Sequence, residues 1–177
     1  MVRTLAAGVV IAVAFAAVYG LVRHRLPGRS DFARVTLLAA VGFGIFALLP
    51  ALKIPANPPA VGDPTTVGTR TAIYGAVLLC GIVTAMLVSA LVSFLHSRAV
   101  RTTTTITAAV AVTAALLAVV LILVPGSPDT IAADVPASVV WNFRLASLGQ
   151  LAVLWAAMGL AGGLLLDRLT RTPAPTH

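Results

Sequence analysis

The chain has 177 residues, 59% of them hydrophobic and only 10% charged, with a mean hydropathy of +1.04. So few polar side chains cannot cover a water-soluble domain of this size, and the bilayer is left as the solvent. The formal charge of +7 does not point to nucleic acid, because the basic residues stand in short clusters between apolar runs without interleaved aromatics, and the single Cys80 excludes an intrachain disulfide or a Cys-based metal knuckle.

A hydrocarbon core about 30 Å thick takes about 20 apolar residues per helix. Five stretches meet that requirement, so the sequence predicts an all-α polytopic integral membrane protein, a bundle of five transmembrane helices forming a single membrane domain over residues 1–177. The first span covers about 4–22. "MVR" precedes it and "RHR" follows directly, which reads as a retained anchor and not a cleaved leader. The second covers about 35–52 and carries Gly42 and Gly44. Next comes a loop, 53–71, with Pro55, Pro58, Pro59 and Pro64. Each proline fixes its own φ and pushes the preceding residue out of the helical region, so the second helix cannot continue, and the stiff loop holds Asn57 and Asp63 in set positions. On physical grounds it is a compact interfacial cap, with Lys53 snorkelling to the surface. The third span (72–95), the fourth (106–124), a second loop (125–144) and the fifth span (145–166) follow. The tail 169–177 is Pro-rich and polar and is expected to be disordered.

Arg23, Arg25, Arg29 and Arg34 follow the first span, Arg98 and Arg101 the third, Arg168 and Arg171 the fifth. The other side has Arg3, Lys53, Arg70 and Arg144 together with Asp63, Asp129 and Asp134. The positive-inside rule then puts the C-terminus in the cytoplasm and the N-terminus and the two loops outside.

Two stretches carry a resemblance. "LLPALKIPANPPAVGDPTTVGTRT" and, near the C-terminus, "VVWNFRLASLGQLAVLWAAMGLAGG" resemble the CbtA family of predicted cobalt transporter subunits in its actinobacterial form, over about 38–166. Lys53, Pro55, Asn57, Pro58, Pro59, Gly62, Asp63 and Arg70 make up the first motif; Asn142, Arg144, Ser147 and Gln150 open the second. The resemblance implies a membrane subunit for Co²⁺ uptake that supplies cobalamin synthesis and works with a small single-span, His-bearing partner called CbtB. Family members begin with a further hydrophobic segment ahead of the stretch resembling residues 4–22, and the chain departs from that pattern.

The residues themselves offer little for holding Co²⁺, which takes imidazole, carboxylate and water ligands. His24 and His96 lie at helix ends beside arginines, and the carboxylates available on the other side are Asp63, Asp129 and Asp134. Those three are weak candidates for an exchangeable capture site; the blander reading is that they cap helices or pair with Arg70 or Arg144, and Arg144 is the expected partner of Asp63. Gln150 is costly in lipid unless it faces other helices. Gly159 and Gly163 form a GxxxG pair that allows close helix approach within the bundle or to a partner span, and a homo-oligomer is left open. There is no Ser/His/Asp arrangement, Walker loop or HExxH, so neither an enzyme nor a resident cofactor is expected. The competing reading is a non-transporting membrane scaffold or assembly protein whose rigid loop docks a partner.

Overall fold

The structure is a computed structural model that describes residues 2–59 and 61–170. Among these residues there is no strand. The helices are α1 (Val2–Val22), α2 (Asp31–Phe43), α3 (Leu49–Lys53), α4 (Val67–Ser97), α5 (Thr102–Leu123) and α6 (Ala137–Thr170). A π-helical turn, Gly44–Leu48, joins α2 to α3, so five helices are long and apolar enough to cross a membrane. Pro50 is the reason for the wide turn. It has no N–H, and its ring would collide with the carbonyl four residues back; winding wider lets the Leu49 N–H reach the Gly44 carbonyl instead.

At 1.5 Å per residue, the 31 residues of α4 and the 34 of α6 run for about 46 and 51 Å, well beyond a hydrocarbon core of about 30 Å. The apolar stretches 72–95 and 145–166 are therefore the middles of longer helices. The tail begins later than expected: α6 continues through 169 and 170, where the Thr170 hydroxyl donates to the Leu166 carbonyl at 3.0 Å. The rest of the tail, 171–177, lies outside the described residues.

Contacts divide the chain into two compact units. One contains the residues up to Gly42 and those from Val153 onward. There the second half of α6 packs on α2 through its glycines. A Cβ on Gly159 would stand 2.9 Å from the Ala39 Cβ, and one on Gly163 would stand 3.1 Å from the Phe32 Cα, so any larger residue would push the helices apart. The GxxxG pair is thus used within the chain. Gly42 lies directly under the Trp155 ring, which meets Phe15 edge-on at 6.3 Å. The buried Tyr19 donates its hydroxyl to Asp31 Oδ1 at 2.6 Å and ties α1 to the start of α2.

The other unit runs from Phe43 to Ala152. Its core is Leu49, Ile73, Val77 and Val120, with the partly buried Cys80 packed against it, an ordinary packing role for a free thiol. Gly81 lets the Ile45 side chain approach α4 closely. α4 turns into α5 through Ala99, which adopts φ +53° so that the Val100 N–H can reach back to the Leu95 carbonyl at 3.1 Å.

Candidate functional site

The polar residues of the second unit converge at one end, where the loop after α3 meets the loop between α5 and α6. The Pro-rich segment folds as its prolines require. The Val61 N–H closes a turn on the Pro58 carbonyl at 3.0 Å, and Gly62 takes φ +121°, open to glycine and strained for other residues. Asp63 then starts a short 3-10 turn, Pro64–Thr66, accepting from the Thr65 N–H at 2.8 Å and the Thr65 hydroxyl at 2.7 Å. Those bonds, the hydroxyl's first, hold its carboxyl below the usual carboxylate range.

Asp129 is the centre of the cap. Its side chain is 2% exposed, and both oxygens are occupied. Oδ1 accepts from the Thr66 hydroxyl at 2.6 Å; Oδ2 accepts from Arg70 Nη1 at 2.6 Å and Asn57 Nδ2 at 3.1 Å. The Thr66 hydroxyl bond, with Arg70 and Asn57 behind it, lowers the Asp129 carboxyl's pKa against the upward push of desolvation. Asn57 passes the network on: its Oδ1 accepts from Arg144 Nη2 at 2.8 Å, while Arg144 Nε donates to the Ala56 carbonyl at 3.3 Å. Gly62 lies against this centre, since a Cβ there would come within 3.0 Å of Asp129 Oδ2.

Lys53 anchors the same end twice. Its Nζ donates to the Leu121 carbonyl at 2.6 Å, satisfying an end of α5, and its own carbonyl accepts from the Ser127 N–H at 2.9 Å. A lysine at a helix C-terminus meets the negative pole of the backbone there.

The first motif's residues are therefore brought together, with one correction. Asp63 does not pair with Arg144: it is satisfied by Thr65 two residues away, and Arg144 reaches Asn57 and Ala56 instead. A contact two residues away needs almost no loop closure, so it outcompetes a distant arginine. Within the cap, the cation that meets a carboxylate is Arg70, on Asp129. Pro55 is half-buried, and Pro59, like Asp134, is exposed. In the second motif only Arg144 enters the network; Ser147 is half-buried, while Asn142 and Gln150 are exposed. Thr66 was missed in the sequence, although a threonine three residues after the Asp-Pro turn is placed to face its own loop.

Among the described residues no three His, Cys, Asp or Glu side chains lie together as a metal cluster. A divalent ion at Asp129 would have to displace Arg70 from Oδ2. The cap is organised as a latch between loops and helix ends.

Fold and cap together define a multi-pass helical membrane protein with a hydrogen-bonded polar closure at one end of its second unit. The closure joins residues of the first motif and Arg144 of the second around Asp129, which lies between the two motifs. The chain belongs to the CbtA family: the family model, described as a probable cobalt transporter subunit, matches residues 1–167, more of the chain than the two motifs span. No curated protein and no solved structure matches the chain. Membership makes it a subunit associated with transport, acting within the membrane and in company with other components.

Proposed function

We propose that this chain is the membrane-embedded subunit of a Co²⁺ uptake system, with cobalamin synthesis as the sink for the ion and a small single-span, His-bearing, CbtB-like protein as its partner. The observation that supports this most is the family match over residues 1–167. The division of labour follows from the chemistry. The carboxylate oxygens of Asp129 are taken by protein donors, so the imidazoles of the partner supply the ligands this chain provides poorly, and the present chain supplies the path and its closure.

In this reading the cap faces outward and the C-terminus is cytoplasmic. The distribution of basic residues supports that orientation. Lys53, Arg70 and Arg144 each donate to an acceptor within the protein, whereas Arg98 and Arg101 are exposed. Of the three, Arg70 alone meets a carboxylate, so the orientation rests on the number of basic residues on each side. A cysteine placed at Pro59 should react with an impermeant thiol reagent in intact cells; labelling at Arg29 and not at Pro59 would reverse the orientation.

The test of function is radiolabelled Co²⁺ accumulation in cells expressing this chain, the His-bearing partner, both, or neither. Accumulation should require both. Equal accumulation without this chain would reduce it to a scaffold or assembly protein, and calorimetry on the purified chain should find no sub-micromolar Co²⁺ site.

A further inference from the structure

Gln150 is one of the polar side chains that the latch leaves out, and the one set deepest along α6. It lies on α6 six residues beyond Arg144, about 9 Å along the axis, and 17 residues before Asp167, about 25 Å. With Arg144 held in the cap and Asp167 near the far boundary, a core of about 30 Å encloses Gln150. Its side chain is exposed and makes no hydrogen bond among the described residues. Two methylenes are too short a stem to lift the carboxamide back to the interface. Hydrocarbon offers no partner to its two donors and its acceptor, which is costly.

The surrounding face is shaped for close approach. Ala146 and Gly149 are exposed beside Gln150, and nothing lies within 4 Å of where a Gly149 Cβ would be. Asn142, two turns earlier on the same side, presents a second exposed amide. We propose that this face of α6 is where two copies of the chain associate, with the Gln150 carboxamides of the two copies hydrogen-bonded to each other. A two-fold axis along the bilayer normal brings the same residue to the same depth on both copies, and a carboxamide is both donor and acceptor, so it complements itself. A partner of different sequence would need a polar residue matched to that depth; a second copy has one by symmetry. Small flanking residues let the backbones come near enough for the pair to form. The inference depends on the membrane-spanning fold and not on which ion is carried.

The experiment uses the full chain in phospholipid vesicles. In a Cys80→Ser background, Ala146→Cys should oxidise to a disulfide-linked dimer, and Leu151→Cys, exposed but about 140° round the helix, should not at a comparable rate. Fluorescence energy transfer between labelled copies, diluted with lipid, gives the association constant. Gln150→Leu should lower it about 5- to 30-fold, the equivalent of about 1–2 kcal/mol for an interhelical side-chain hydrogen bond, and Gln150→Asn should retain most of it. Circular dichroism guards against misfolding, since a leucine facing lipid should leave the monomer's helicity intact. A wild-type chain that stays monomeric at every density would overturn the proposal. So would unchanged association in Gln150→Leu, or cross-linking through Ala146→Cys only to a co-expressed second polypeptide, which would give this face to that protein.

Discussion

Replacing Gly42 by alanine adds one methyl group where there is no room for it. The new Cβ would fall inside the contact distance of the Trp155 ring, with ring atoms at 2.5 and 3.0 Å, where carbon atoms normally rest about 3.5–4.0 Å apart. The ring cannot easily yield, because its edge-on contact with Phe15 at 6.3 Å lies on α1. Either α2 retreats from α6 by about 1 Å or Trp155 leaves its rotamer. Overpacking of this kind costs about 1–3 kcal/mol, and the depth of the overlap puts Gly42→Ala near the top, about a hundredfold in the folded-to-unfolded ratio. The assay is SDS titration of the protein in mixed micelles, followed by circular dichroism. Trp155→Leu removes the obstruction at the expense of the Phe15 contact, so in a double-mutant cycle the second substitution should recover most of the loss due to the first. A loss below about 0.5 kcal/mol, or a loss equally large in the Trp155→Leu background, would refute the steric argument.

At the cap, Asp129→Asn removes the one anion facing Arg70, so amide hydrogen exchange at Val61 and Ser127, whose N–H groups close the loop turns, should quicken at least about tenfold; unchanged exchange would mean that the latch holds without the charge. Because the carboxyls of Asp63 and Asp129 are both lowered in the folded protein, their contribution is complete above the unfolded carboxylate range of about 4 and is lost as pH falls through the lower folded values. The same exchange rates, corrected for intrinsic pH dependence, should therefore show no loosening between pH 7 and 5; loosening near pH 6 would contradict the assignment. Ala99→Gly relieves a left-handed alanine in the α4–α5 turn and should raise stability in the SDS titration by about 1 kcal/mol; a decrease would mean that the turn is held by something other than backbone geometry.

The sequence reveals some of these features and not others for identifiable reasons. A membrane helix announces itself because lipid demands about 20 apolar residues in a row, and the five spans could be read on that ground alone. Helix ends could not, since hydropathy records where the apolar middle stops and not where hydrogen bonding does; α6 starts eight residues before its apolar stretch, at Ala137. Pro50 in the second span was a visible signal, but whether a proline ends, kinks or widens a helix depends on what packs beside it. The arginine partners were harder. Asp63 and Asp129 competed for Arg70 and Arg144, and the decision rested on Thr65, a neighbour two residues off whose bond to Asp63 takes no long chain closure. GxxxG carries no address: Gly159 and Gly163 proved to be filled by Ala39 and Phe32, while the open small residues lie about three to four turns nearer the cap than Gly159, at Ala146 and Gly149.

Lys53 has a mechanical consequence. Its ammonium grips the end of α5 and its carbonyl grips the strand of chain that leaves α5, while Asn57, a few residues on, grips Arg144 at the start of α6. With Arg70 of α4 bonded to Asp129, the two loops are therefore riveted into one plate with its fasteners on four different helices. A pull on either loop, whether from a docking protein or a pulling probe, is shared among α3, α4, α5 and α6 together, and the plate should come away in one step when its weakest rivet fails.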